Sequence, residues 1–591
     1  MVKGIEIVDT AAGTTTHQVI LHHNSASRWL CFKRPFRIVE ARLIEDVLPA
    51  LADIEAQVRD HGQYAAGFIS YEAAEAFDSA ICTKKAEDFP LLWFGLYPPP
   101  EEIQLPEPKY NAYCLGNKIP SVSHSEYFHA ISRIKEHIQS GDTYQVNYTF
   151  QLKIPFSGDP WNLFLAMVRA QSPGYAAWID TGRFAVCSAS PELFFSLEGT
   201  RLICKPMKGT VKRGRTLKED ESFALWLQNS AKNRAENLMI VDMIRNDLGR
   251  IADAGSVGVD RLFEVERHPT LWQMTSTVRA NSQKSLTEIM TALFPCASIT
   301  GAPKIRTTHI IADLERSVRN IYTGSIGFIG PEQRAQFNVA IRTAVVDRIT
   351  GTAEYGTGGG IVWDSASQDE YTEAILKARV LTEQRPDFSL LESILWTREN
   401  GYFLLDYHMK RLADSAKYFD YSVKIQDIKE SLYEKASTFS NTPQKVRLLL
   451  DRNGCLEIQS ASLIPEPLTK KLNVKLAAVP VYSSDPLLYH KTTCRQAYES
   501  ALQDCPACDD VLLWNERQEL TESCVANIVV EIDGKLYTPP ITSGLLAGVF
   551  RAWLLDQGGI QERVLHISDL KSYTKIYLIN SVRLWQEALL T

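Results

Sequence analysis

Apolar residues recur at helical spacing from Asp369 to Leu381, and the pattern stops at Glu383-Gln384-Arg385-Pro386-Asp387. Pro386 has no amide hydrogen and clashes with the preceding turn, so a helix cannot continue through it. A fresh pattern starts at Phe388. At roughly 100–200 residues per domain, 591 residues predict about three to five structural units or two large ones, and this break suggests a boundary between two parts. With 45% hydrophobic and 23% charged residues, the composition is that of a soluble globular protein. Disordered, collagen-like and coiled-coil readings are thereby excluded.

Both parts mix strand-like and helical patterns. Phe184–Cys187, Leu193–Leu197, Val446–Leu450 and Ile528–Ile532 read as strands, and Ile131–Ile138, Glu236–Ile244 and His408–Phe419 as helices. The expected class is α+β or α/β units in tandem, without internal repeats or low-complexity tracts. Lys+Arg 63 against Asp+Glu 70, net charge −7, gives no electrostatic case for nucleic acid. No apolar run reaches the ~18–20 residues of a membrane span. The opening MVKGIEIVDT lacks the apolar stretch of a secretory signal. The 11 cysteines, odd in number and scattered, predict reduced thiols in a cytoplasmic protein rather than a disulfide framework.

Four segments of the first part carry candidate chemistry: Ser190-Pro191-Glu192, Lys205-Pro206-Met207-Lys208-Gly209-Thr210, Phe294 to Lys304, and Gly358-Gly359-Gly360-Ile361-Val362 followed by Glu370-Tyr371-Thr372-Glu373. Singly they read as turns and a solvated helix face. Three glycines before a strand also let backbone amides approach an anion, and carboxylates at i, i+3 suit a hard cation.

Together with Gly141-Asp142-Thr143-Tyr144-Gln145-Val146-Asn147, Arg234 to Asp242, Arg245 to Arg250 and Ser298-Ile299-Thr300-Gly301-Ala302-Pro303-Lys304, these stretches resemble the chorismate-utilising enzymes. That family includes anthranilate synthase large chains, aminodeoxychorismate synthase component I, and isochorismate and salicylate synthases. The resemblance covers residues 120–383 as a catalytic domain, with 1–119 as the N-terminal part of the same unit, matched mainly through Gly67 to Ala73. It implies the two-sheet α/β sandwich of anthranilate synthase. Isochorismate and salicylate synthases carry a water-activating lysine where this chain has Gln145. Anthranilate synthases carry a small residue where it has Lys208. A lysine there resembles aminodeoxychorismate synthase, in which it attacks ring carbon 2 of chorismate.

The remaining roles are what the resemblance implies. Glu192 takes the general-acid position. Glu236 and Glu373 hold Mg²⁺, with Glu370 beside them. Tyr322, Arg342, Thr300, Gly358, Gly360 and Lys377 receive the substrate. As a nucleophile Lys208 must be neutral, and a reference pKa of ~10.4 leaves about one part in a thousand neutral near pH ~7.4. Burial, Mg²⁺ and cations such as Lys205 are expected to lower that pKa. A histidine common in the family is replaced by Gln273, which cannot titrate. No glutaminase signature surrounds Cys114, so a glutamine amidotransferase partner is implied as the ammonia source. Cys505-Pro506-Ala507-Cys508 is an isolated CxxC, a weak zinc or redox signal.

After a linker at 384–387, residues 388–591 contain His408-Met409-Lys410-Arg411-Leu412, Tyr489-His490-Lys491-Thr492-Thr493, Leu520 to Ile528 and Ser543 to Arg551. Together they resemble the fold-type IV pyridoxal-phosphate enzymes: branched-chain and D-amino-acid aminotransferases and 4-amino-4-deoxychorismate lyase. The fold implied is two α/β subdomains, with any homodimer forming through this part. Lys491 would form the Schiff base, and Glu522 would face the pyridine nitrogen. Arg411 and the amides around Gly548, Val549 and Phe550 would hold the phosphate, with Asn527 in support and Asn580 and Ser581 lining the pocket. Many relatives have a threonine where Phe550 stands. The pair of resemblances implies amination of chorismate followed by pyridoxal-phosphate-dependent loss of pyruvate, giving 4-aminobenzoate for folate. The alternative is an anthranilate synthase chain fused to an aminotransferase.

Overall fold

The computed structural model describes residues 16–86, 88–109, 111–382, 386–464 and 471–591, so residues 384 and 385 of the expected linker lie outside it. Two compact units result. Of the described residues, 16–212 and 224–382 form the first, and 213–223 with 386–464 and 471–591 form the second. The architecture is mixed α+β in both units.

The first unit is a sandwich of an eleven-stranded and a ten-stranded sheet among the described residues. The first sheet runs in part Gln145–Gly158, Thr352–Ile361, Thr343–Asp347, Phe184–Ser188, Ala177–Asp180, Val19–His23. The second runs in part Met207–Lys212, Leu271–Asn281, Arg201–Lys205, Leu193–Glu198, Arg334–Val339, Ser325–Gly330. Phe32 and Val186 of one sheet meet Phe68, Trp93 and Phe328 of the other in a shared core cluster. Each such side chain contributes about 1.5–3 kcal/mol by leaving water.

Helices cover the outer faces. His124–Gln139 starts at a capping box, in which Ser123 Oγ accepts from the Glu126 amide and the Glu126 carboxylate from the Ser123 amide. Ala231–Gly249 buries Asn237, Ile240, Val241, Ile244, Asp247 and Leu248, a three-to-four-residue spacing that leaves Glu236 off the buried stripe. The helix expected from Asp369 to Leu381 is Ser367–Lys377 followed by a tighter 3-10 turn, Ala378–Leu381, so Pro386 is not what ends it. The three glycines lie inside the strand Thr352–Ile361 rather than ahead of one. They pair as Gly358↔Thr149, Gly359↔Tyr148 and Gly360↔Asn147. A Cβ on Gly358 would sit 2.2 Å from the Tyr148 carbonyl oxygen, which explains glycine there.

In the second unit a four-stranded antiparallel sheet (Gly401–Tyr402, Leu390–Thr397, Gln444–Leu450, Leu456–Ser462) packs with helices Leu405–Phe419 and Ile425–Ala436. A second, eight-stranded sheet closes on itself. Six of its strands form a ring, and the closing pair is Leu520–Ser523 with Asn527–Ile532 through Glu522↔Asn527. Two of the expected cofactor residues therefore mark the seam of the barrel. Among the described residues no helix is long and apolar enough to cross a membrane.

The cysteines depart from expectation at one point. Cys505 and Cys508 are joined as a disulfide, whereas the other cysteines are free thiols. The Cys508 amide donates to the Cys505 carbonyl at 3.1 Å, and this turn holds the Cα atoms 5.7 Å apart, within bonding reach.

Candidate active sites

In the first unit Lys208 sits on Met207–Lys212. That strand pairs with Leu271–Asn281 through Met207↔Thr275 and Thr210↔Gln273, and the register shifts between the two pairs. The irregularity re-aims the Lys208 side chain, as bulges do, and Gly209 takes the positive φ of +92° that it requires. Gln273 pins the bulge. Its Nε2 donates to the Gly209 carbonyl at 2.8 Å, and its Oε1 accepts from Thr210 Oγ1 at 3.0 Å. Gln273 thus holds the strand carrying the lysine.

The Lys208 amine lies against the glycine strand. A Cβ on Gly360 would be 2.9 Å from Lys208 Nζ and 3.0 Å from Gln145 Nε2. Burial lowers the Lys208 pKa, and Lys377 adds to the effect, against the opposing pull of Glu236, Glu192 and Glu373. The expected cation, Lys205, is instead ion-paired with Glu266, so the neighbouring positive charge is Lys377. Glu192 is 3% exposed. Burial pushes it up to about 7, opposed by the Ser298 hydroxyl (2.8 Å to Oε1) and by Lys208. A buried carboxyl beside an enclosed amine can exchange protons near neutrality.

Tyr322 and Arg342 both act electrostatically on Tyr355 of the glycine strand, so the structure brings them to one neighbourhood. The Tyr322 ring lies against Gly356, where a Cβ would fall 2.1 Å from its Cγ. Arg342 takes a φ of +50°, and its Nη1 donates to Gln171 Oε1 at 2.6 Å. Thr300 is fully buried and its hydroxyl faces the Cys296 and Ala297 carbonyls. Lys377 donates to the Gly358 carbonyl at 2.8 Å and pairs with Glu373 at 2.9 Å. Lys304, at the end of the Ser298–Lys304 motif, is held by Asp247 at 2.8 Å.

The three candidate metal carboxylates are not gathered. Among the described residues no group of three or more His, Cys, Asp or Glu side chains converges on one point. Glu370 is raised by burial and by Glu373, Glu373 is lowered chiefly by Lys377, and Glu236 acts on Lys208. The donor set is all oxygen and suits a hard cation in chemistry, but Glu373 would first have to leave Lys377.

In the second unit one cavity of about 600 Å³ is lined by Lys491, Glu522, Arg411, Asn527, Gly548, Val549, Asn580 and Ser581, among others. Burial takes Lys491 down to about 8, helped by Arg411 and Arg495 and opposed by Glu392 and Glu522. Burial pushes Glu522 up to about 7. Its Oε1 accepts from Tyr498 Oη (2.8 Å) and the Leu546 amide (3.0 Å), and Asn527 Nδ2 reaches Oε2 at 3.3 Å. Asn527 also donates to the Leu546 carbonyl, and its Oδ1 would be 1.9 Å from a Cβ at Gly548. Glycine at 548 is what lets the barrel seam and the helix Val549–Asp556 approach each other.

Arg411 is fixed by a carboxylate that the motifs did not reveal. Glu392, 1% exposed, accepts from Arg411 Nε (2.9 Å) and Nη2 (2.6 Å) and contacts His408 Nδ1 at 2.6 Å. Arg411 Nη1 reaches the Ala547 carbonyl at 3.2 Å, beside Gly548. The Phe550 ring stacks on Trp553, leaving only its backbone for the loop. His490 is anchored by Ser415 and by the Arg215 carbonyl, which fixes the base of the Lys491 segment. An enclosed amine, a carboxyl lining the same cavity, and an arginine beside a glycine-led helix start fit the aldehyde, ring nitrogen and phosphate of pyridoxal phosphate.

Comparison with known proteins follows this division. Residues 14–383 match the family model described as chorismate binding enzyme, and residues 389–589 match that of the class IV amino-transferases. Aminodeoxychorismate synthase component 1 of Escherichia coli (strain K12) is 39% identical over 266 residues, 45% of this chain and 58% of that protein. Anthranilate synthase component 1 3 of Haloarcula marismortui is 38% identical over 253 residues, 42% of this chain and 50% of that protein. This chain therefore spans about half the length of these curated relatives. Anthranilate synthase component I from Streptococcus pneumoniae shares the fold, with TM-score 0.53 and 22% identity over 64% of this chain and 95% of that one.

Proposed function

This chain belongs to the chorismate binding enzyme family, and on that premise we propose that its first unit aminates chorismate to 4-amino-4-deoxychorismate and its second converts that product to 4-aminobenzoate and pyruvate. The observation that carries the reading is the enclosed Lys208 amine beside Glu192 and Gly360. Neutral Lys208 attacks carbon 2 as the carbon 4 hydroxyl departs with the Glu192 proton, giving water. The Glu192 carboxylate then takes a proton from the newly bonded nitrogen. Ammonia attacks carbon 4, the carbon 2 to nitrogen bond breaks, and Glu192 returns a proton to Lys208 while the product loses one. The sum is chorismate plus ammonia to aminodeoxychorismate plus water. Tyr322, Arg342 and the Gly360 amide would hold the substrate carboxylates, with Thr300, Gly358 and Lys377 alongside. Glu236, Glu370 and Glu373 would hold Mg²⁺ only once Glu373 is released from Lys377 and the three carboxylates are drawn together, and the ion would then offset the substrate's negative charge.

Pyridoxal phosphate, anchored on Lys491, would supply an electron sink in the second unit. Arg411 and the amides around Gly548, Val549 and Phe550 would hold its phosphate, and Glu522, steadied by Asn527, its ring nitrogen. Once free, Lys491 takes the proton from carbon 4 of the aminated substrate. Pyruvate leaves carbon 3, and the ring becomes aromatic. Ammonia would come from a separate glutamine amidotransferase, and the free thiols suit a cytoplasmic setting, with the Cys505–Cys508 bridge the exception.

The test is a coupled assay with chorismate, ammonium, Mg²⁺ and pyridoxal phosphate. Wild type should yield 4-aminobenzoate. Lys208→Ala should lower amination by at least about a hundredfold, and Lys491→Ala should let the aminated intermediate accumulate. Anthranilate as the product would overturn the reading.

A further inference from the structure

Behind Glu192 lies a chain of buried polar groups that the reaction above does not use. Ser298 Oγ donates to Glu192 Oε1 at 2.8 Å, and Cys296 Sγ lies 3.3 Å from Ser298 Oγ. All three residues are buried, at 3%, 5% and 7% exposure for Glu192, Ser298 and Cys296. Both ends are fixed by the backbone. The Glu192 amide donates to Ser190 Oγ at 3.2 Å, and its carbonyl accepts from the Val339 amide at 3.1 Å. Ser298 sits in the 3-10 turn Ala297–Ile299, and Thr300 Oγ1 donates to the Cys296 carbonyl at 3.1 Å.

We propose that Ser298, backed by Cys296, is the positioning residue of the acid: a one-way donor chain that holds the Glu192 carboxyl and confines its transferable proton to Oε2. The inference rests on the reading of Glu192 as the acid of chorismate amination.

A serine hydroxyl has one proton, and sulfur is a weak acceptor, so that proton goes to Oε1. The Ser298 oxygen then accepts from the Cys296 thiol. Burial pushes that thiol up to about 12, so it stays a neutral donor through the working range. An Oε1 that accepts from Ser298 is the carbonyl-like oxygen of the protonated carboxyl, which leaves Oε2 to carry the proton. Lys208 and the Cys296 thiol are the titratable groups facing Glu192, and Lys304, the next charge beyond Cys296, is paired with Asp247. The Met207 amide is a second donor to the Glu192 carboxyl, and with Ser298 it holds the group in one orientation, so the same oxygen gives and takes back the proton.

The experiment follows chorismate consumption by the full-length protein with Mg²⁺, at fixed free ammonia, as a function of pH. Ser298→Ala should lower kcat roughly tenfold, the worth of one hydrogen bond to a charged group, while KM for chorismate stays within about twofold. Removing a donor from a carboxylate raises its pKa, so the acid remains protonated at higher pH. The descending limb of the profile should therefore move up by roughly one unit. Ser298→Thr should restore both the rate and the limb, and Cys296→Ala should shift the limb the same way by less. A Ser298→Ala limb at the wild-type position overturns the proposal. If Ser298→Ala melts far below wild type, Cys296→Ala decides, and its unmoved limb is equally fatal. Wild-type protein that consumes no chorismate would instead sink the amination reading itself.

Discussion

Replacing Glu392 by glutamine keeps the shape of the side chain and removes the charge that holds Arg411. Glu392 is held down to about 2, because Arg411 and His408 together outweigh the cost of its burial. Its ordinary value is 4.5, and a depression of that order is worth on the order of 3 kcal/mol in the pairing with Arg411. The side chain is 1% exposed, so solvent screening gives no reason to discount this. Because the folded pKa lies below the unfolded one, the stabilisation is fully present above pH ~4.5 and disappears as pH falls through ~2. Glu392→Gln should therefore lower the unfolding temperature of the second unit by roughly 6–12 °C at pH ~7, at about 2–4 °C per kcal/mol for a domain of this size. The gap to wild type should hold down to pH ~5 and be about halved near pH ~3.3. Differential scanning calorimetry measures this, and the transition that added pyridoxal phosphate raises identifies the unit. Burial holds His408 below its ordinary value, so its charge arrives only on acidification; a shift under ~2 °C at neutral pH, or a gap that does not shrink below pH ~4, would refute the argument.

Two other substitutions probe the geometry of the sites. Gly548→Ala puts a methyl group 1.9 Å from Asn527 Oδ1. Asn527 must then leave Glu522 or the helix must shift, at about 1–3 kcal/mol. Pyridoxal-phosphate affinity, followed by fluorescence titration, should fall roughly tenfold or more, and unchanged affinity would contradict the close-approach account. Gln273→Leu removes the partner of the half-buried Gly209 carbonyl and of the exposed Thr210 hydroxyl, at about 0.5–1.5 kcal/mol. Amination should slow about tenfold with the limbs of its pH profile unmoved, because glutamine does not titrate; a moved limb would mean that this position takes part in proton transfer.

Much of the chemistry was legible because it lies in short segments whose meaning is local. The strands at Phe184 and Leu193 and the helices at Ile131 and Glu236 show in the spacing of apolar residues. Lys491, Glu522, Arg411 and Gly548 carry recognisable surroundings, and one cavity collects them. What stayed hidden depends on distant pairing. Glu392 looks like an ordinary polar residue in Leu390–Thr397, and only the packing of Leu405–Phe419 on that sheet reveals its partners. Tyr498 reaches Glu522 from a separate helix. Cys505 and Cys508 gave no sign of whether they were bonded. The association of 213–223 with the second unit is likewise invisible to a reading that assigns domains as continuous stretches. Lys205 shows the opposite error: a cation near Lys208 in sequence is taken by Glu266, while Lys377, far along the chain, comes close.

The two glutamines of the first site divide a task that a single titrating side chain would confuse. Gln273 spends both ends of its amide on the bulge that aims Lys208. Gln145 spends neither, since both its amide atoms are buried without a protein partner among the described residues. Leaving such a group unmatched costs about 1–3 kcal/mol. Its Nε2 lies beside the Gly360 position that also faces Lys208 Nζ. A polar substrate that enters there satisfies the amide and recovers the cost, so the group favours a bound ligand without competing for the proton. A lysine at 145 would put a second amine against the first. Each would lower the other's pKa, and either could then activate water or attack the ring. On the proposed reaction, a neutral amide at 145 adds no second base beside Lys208 and no rival donor to Glu192, which would favour addition of nitrogen over water.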